Sequence, residues 1–70
     1  MSDQELQIKI GKNINKYRKK KGLTLSYLGD VVGCGKSNII PITKGKVNIT
    51  VSTLNKIAAA LDVEPGDLLK

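Results

Sequence analysis

Apolar residues at Leu6, Ile10, Ile14 and Tyr17 return at steps of four, four and three, and lysines occupy much of the opposite side. That spacing is the stripe of an amphipathic helix. Ser2 or Asp3 can cap its start, and Gly22 can take the left-handed conformation that stops a helix after Lys21. The pattern predicts a first helix over about 4–21. A second stripe, Leu25, Leu28 and Val32, follows Thr24, a good N-cap, and ends at Gly33, which predicts a helix over about 25–32.

After the tight turn "GCG", Lys36, Ser37 and Asn38 open a third segment in which Ile39 and Ile42 stand three apart. This helix is expected over about 36–43. Pro41 falls inside it, lacks a backbone donor and carries a ring that crowds the carbonyl of Ser37, at about 3 kcal/mol in a helix interior. The expectation is a short helix broken near Ile40, with Pro41 starting a second turn that carries Ile42 inward. Thr50 can cap a fourth helix over about 51–61, with Val51, Leu54, Ile57, Ala58 and Leu61 on its apolar face. Pro65 suits the first position of a last helix over about 65–69, with Glu64 extended before it. No segment alternates convincingly as a strand would. The chain therefore reads as a compact all-α bundle of five helices and, at 70 residues, as a single domain spanning 1–70.

Charge changes the picture from fold to partner. Twelve Lys and Arg stand against six Asp and Glu, a formal charge of +6. Residues 31–61 hold Lys36, Lys44, Lys46 and Lys56 and no acid, and "KYRKKK" adds five positive charges. Such clusters attract a phosphate backbone of any sequence, although lysines at a helix end also answer its dipole. With no Phe or Trp and only Tyr17 and Tyr27, the platform on which single strands stack is missing. Double-stranded DNA is the better match.

Other chemistry is sparse. There is no histidine, the acids are scattered, and Cys34 is a lone thiol without a base beside it, so neither an enzyme nor a metal site is expected. No cofactor, effector pocket or other small-molecule ligand is evident. The opening "MSDQELQIK" is not a signal peptide, and no apolar run is long enough to span a bilayer. A cytoplasmic chain with no membrane partner is expected.

Two helices joined by a three-residue glycine turn describe a helix-turn-helix, with Gly29 allowing close approach and Gly33 making the bend. The run "IGKNINKYRKKKGLTLSYLGDVVG", followed by "KSNI", "KGK" and "NITVSTLNKIAAALDVEPGDLL", resembles the phage-repressor and Cro type of helix-turn-helix domain, the XRE family, over roughly 8–69. Its "GK.NI" loop is similar to that of many small bacterial regulators, including controllers of restriction-modification systems. The resemblance implies a small bacterial or phage transcriptional regulator, a repressor, that binds a palindromic operator as a homodimer.

By position, the resemblance assigns base reading to Lys36, Ser37, Asn38 and Ile40, with Pro41 facing the same groove. It assigns phosphate contacts to Thr24, Leu25, Lys44, Lys46, Asn48 and Thr50. Val63, Leu68 and Leu69, near the end of a chain too short to bury everything, are expected at the dimer interface. Leu25 stands where the family usually has glutamine, and Thr43 where it commonly has a glutamate partner for Arg18. Apolar residues at Leu25, Ile40 and Pro41 also define the alternative function, a helix-turn-helix module that meets a partner protein and has weakened or lost sequence-specific DNA reading.

Overall fold

The opening helix begins where its capping chemistry is strongest. In the computed structural model, which describes residues 1–70, Ser2 Oγ accepts from the Glu5 N–H at 3.1 Å, and the Glu5 carboxylate accepts from the Ser2 N–H at 3.3 Å. This reciprocal box satisfies two of the donors that a helix start leaves free. Helix α1 runs Asp3–Lys20, and Gly22 turns the chain at φ +68°. Helix α2 (Leu25–Val32) starts with Thr24 Oγ1 accepting from the Tyr27 N–H at 3.0 Å and ends at Gly33, φ +85°. Helices α3 (Lys36–Thr43) and α4 (Val51–Leu61) follow, and Thr50 caps α4 by accepting from the Thr53 N–H at 3.1 Å.

The fifth helix expected over 65–69 is instead a five-residue 3₁₀ turn, Pro65–Leu69. Its bonds close over three residues: the Asp67 N–H donates to the Glu64 carbonyl at 2.9 Å, and Asp67 Oδ2 accepts from the Glu64 N–H at 3.1 Å. A segment this short gains no full α-turn of hydrogen bonds, so the tighter helix suffices. The architecture is four α-helices and a 3₁₀ turn, with no strand.

One core of ten buried residues joins every element: Ile10 and Ile14 from α1, Leu28 and Val32 from α2, Ile39 and Ile42 from α3, Ile57, Ala58 and Leu61 from α4, and Leu68 from the 3₁₀ turn. Enclosing each of the larger side chains is worth about 1.5–3 kcal/mol. Leu6, Tyr17, Leu25 and Leu54 lie half-buried against it. Two expectations fail here. Val51 is 83% exposed because the first residue of α4 projects past the core that its later turns cover. Leu68 has no exposed surface and its carbonyl accepts from Asn13 Nδ2 at 2.9 Å, so this chain, not a second copy, covers it.

The break expected near Ile40 does not occur. Helix α3 is continuous through Pro41 and is followed by regular terminal bonds, the Lys44 N–H to the Ile40 carbonyl at 3.1 Å and the Lys46 N–H to the Pro41 carbonyl at 3.0 Å. Burial outweighs the proline: Ile39 is fully enclosed and Ile42 is 9% exposed, and the continuous helix sends both inward from one face. The carbonyl left without its donor belongs to Ser37, an exposed residue, where water can replace the lost bond.

Two glycines set the seat of α3. A Cβ on Gly29 would lie 2.6 Å from the Gly35 carbonyl carbon and 2.9 Å from the Lys36 nitrogen, so α2 and the start of α3 touch backbone to backbone. A Cβ on Gly11 would lie 2.8 Å from the Thr43 carbonyl carbon, so the end of α3 rests directly on α1. Held at both ends, α3 presents its remaining face to solvent.

Candidate nucleic-acid interface

The outward face of α3 follows from helical geometry. With Ile39 and Ile42 inside, steps of about 100° per residue place Ser37 and Lys44 near the middle of the opposite side and Lys36, Ile40 and Pro41 around them. Lys36, Ser37 and Lys44 are exposed, whereas Ile40 and Pro41 are half-buried. An eight-residue helix is about 12 Å long and about 10 Å across, a size that a major groove about 12 Å wide admits.

Each end of α3 meets a further group of donors. At its start, a shallow cleft brings Lys36 together with Arg18, Leu23, Thr24, Leu25 and Ser26. Thr24 Oγ1 and the Thr24 carbonyl use the N–H groups of Tyr27 and Leu28, which leaves those of Leu25 and Ser26 without an acceptor. Leu25 therefore has a backbone donor to offer a phosphate even though its side chain has none. At the far end, Lys44 and Lys46 are exposed. Asn48 Oδ1 accepts from Gln7 Nε2 of α1, an arrangement that turns the Asn48 amide N–H₂ group to other partners.

Helices α2, α3 and α4 all start without an acid in the first turn, whereas α1 starts with Asp3 and Glu5. A helix N-terminus carries roughly half a positive charge, which nearby carboxylates would offset. At α3 the cap is Gly35, which offers no side-chain hydrogen bond, so the N–H groups of Lys36 and Ser37 also remain free. Free N–H groups at an uncompensated helix start form an anion site. Two of these starts, on α3 and α4, lie within the acid-free span 31–61, and the third, on α2, follows closely on the basic run "KYRKKK".

Several residues singled out from the sequence have other work. Asn38 Nδ2 donates to the Cys34 carbonyl at 2.7 Å, fastening the turn between α2 and α3. The Thr50 hydroxyl donates to Thr53 Oγ1 at 3.0 Å and accepts from the Thr53 N–H, so it is fully engaged in capping. The free donors there are the backbone N–H groups of Val51 and Ser52. Val63 is half-buried and Leu69 is 42% exposed, which leaves these two of the three expected interface residues at the surface.

Sequence reasoning missed Arg18 as part of the cleft. Its Nη1 donates to the Leu23 carbonyl at 2.8 Å and its Nε to Asn15 Oδ1 at 3.3 Å. These bonds stand where an ion pair with position 43 was considered; Thr43 instead donates to the Ile40 carbonyl at 2.7 Å. No local pattern in "KYRKKK" distinguishes Arg18 from its neighbours.

Two helices joined by a glycine turn, with an exposed basic second helix, define a helix-turn-helix domain, and comparison with known proteins agrees. The chain belongs to the helix-turn-helix family, whose pattern it matches over residues 14–68. It is 39% identical over 61 residues to the HTH-type transcriptional regulator SinR of Bacillus subtilis, a match covering 86% of this chain and 55% of SinR. The chain thus spans about half the length of that relative. Among solved structures, it resembles the restriction-modification controller protein C.AhdI of Aeromonas hydrophila, with a TM-score of 0.84 and 31% identity over 89% of this chain and 94% of that one. It also resembles the hypothetical transcription factor NHTF from Neisseria, with a TM-score of 0.89 and 27% identity over 100% of this chain and 80% of that one.

Proposed function

We propose that this chain binds double-stranded DNA as a transcriptional regulator, laying α3 in the major groove. The observation that carries the reading is the set of three helix starts with free N–H groups and no acid, on α2, α3 and α4. In this reading Lys36 and Ser37 meet base edges. The starts of α2 and α4, with Lys44, Lys46 and Asn48, hold phosphates beside the groove, fixing register without reading sequence. SinR, named as a transcriptional regulator, supports the reading.

The protein acts as a homodimer on a palindromic operator, because two half-sites roughly 34 Å apart need two recognition helices. Val63 and Leu69 are the surface residues available for that contact. Repression, a cytoplasmic setting and the absence of enzymatic activity belong to the same proposal.

The test is a fluorescence-anisotropy titration against duplex from the promoter of its own gene and against random duplex, each at two salt concentrations. Tight promoter binding with a steep salt dependence is expected, and Lys46→Ala should lower the slope of log K against log salt by about 0.9. Absence of salt-sensitive binding to either duplex would refute the reading.

One observation favours a second reading, a protein-interaction module. Tyr27 and Val31 lie one turn apart on α2 and are 52% and 49% exposed. Against it, Leu25, which suggested part of an apolar groove face, is half-buried against the core. A binding partner protein lost on Tyr27→Ala and indifferent to Lys36→Ala and Lys46→Ala would favour this reading.

A further inference from the structure

We propose that α3 reads a thymine through its 5-methyl group, with Ile40 and Pro41 as the contact. The inference rests on the DNA-binding reading above and names what the middle of the recognition helix selects. Polar groups able to read bases are confined to the ends of the outward face, Lys36 and Ser37 at the start and Lys44 at the finish. Asn38 lies away from that face, with its amide bonded to the Cys34 carbonyl. Between the ends, the surface offered by Ile40 and Pro41 carries no side-chain donor or acceptor.

Of the features that base pairs display in the major groove, the thymine methyl is the one that answers an apolar surface. A purine opposite the patch would have its N7 and its O6 or N6 group pressed against hydrocarbon and cut off from water, which is unfavourable, and a cytosine would offer only C5–H, with no methyl to bury. The selection therefore works in both directions, by burying the methyl and by disfavouring its absence. Both side chains are also held in advance. Ile40 packs against the core, a β-branched residue in a helix keeps essentially one rotamer, and the proline ring is rigid. Little side-chain freedom remains to be lost on contact.

The experiment selects duplexes from a random library with the 70-residue chain and then replaces each selected thymine singly with deoxyuridine, which removes the methyl and leaves base pairing intact. One or two positions in each half-site should lose affinity about fourfold, the value of one buried methyl. The thymine-to-uracil difference at those positions should shrink in Ile40→Ser and in Pro41→Ser. The latter regains a backbone donor, so loss of folding does not confound it.

Equal binding of every uracil-substituted duplex, with base-pair changes elsewhere still weakening it, would overturn the inference and leave DNA binding standing. So would a uracil penalty that persists in both variants. If no duplex is enriched over the starting library, the DNA-binding reading itself fails and this inference with it.

Discussion

Replacing Gly29 with alanine sets two effects of known sign against each other. Alanine is favoured over glycine in a helix by about 1 kcal/mol, so on an open surface the change would stabilise α2. At this position the new Cβ would sit 2.6 and 2.7 Å from the carbonyl carbon and oxygen of Gly35 and 2.9 Å from the Lys36 nitrogen. All three are backbone atoms, so no rotamer change relieves them. Reaching ordinary contact requires α2 and α3 to separate by somewhat under 1 Å, which disturbs the core between them. Overpacking of this kind costs typically 1–3 kcal/mol, and rigid neighbours place Gly29 at the upper end.

The net expectation for Gly29→Ala is a loss of about 2 kcal/mol, from a total of about 4–10 kcal/mol for a chain of this length. In a domain this small the loss lowers Tm by about 8–16 °C. Urea denaturation followed by circular dichroism measures it. Gly66→Ala, at a position with nothing within 4 Å of the new Cβ, is the control and should stay within about 0.5 kcal/mol of the parent. A Gly29→Ala protein as stable as the parent, or more so, would refute the backbone contact between α2 and α3.

Pro41→Ala should stabilise the fold by about 1–2 kcal/mol, since it returns a donor to Ser37 and removes the ring from α3, less the entropy that proline takes from the unfolded chain; an unchanged Tm would show that α3 carries the proline without penalty. Asp62→Gly should gain about 0.5–1 kcal/mol by relieving a left-handed backbone at φ 59°, because the exposed contact with Lys21 at 3.6 Å adds little. Leu28→Ala empties a fully enclosed site and should cost about 2–5 kcal/mol, read as a loss of cooperative thermal unfolding near room temperature or a large fall in Tm. Asn38→Ala should lower Tm by several degrees through loss of the turn fastening to Cys34; a large fall in DNA affinity at full stability would instead make Asn38 a reader of bases.

The helices were legible because their signals are local. Caps at Ser2, Thr24 and Thr50, stops at Gly22 and Gly33, and stripes of step three and four act within one or two turns, so 25–32 and 51–61 match the observed bounds of α2 and α4. Net charge and the acid-free span 31–61 are likewise sums over the chain and need no coordinates. These features suffice to define a basic helix-turn-helix.

What the chain alone left open depended on contacts between residues far apart in sequence. Pro41 argued for a broken helix by its local chemistry, yet burial of Ile39 and Ile42 against the other helices held α3 together. Leu68 read as a surface residue until Asn13 and the core enclosed it, and Val51 read as core until its place beyond the packed turns exposed it. Arg18 joined the cleft beside Lys36 only through the packing of α1 against the helix pair. Propensity and capping are decided within a few residues and are written in the order of the sequence, whereas burial is decided by which elements meet.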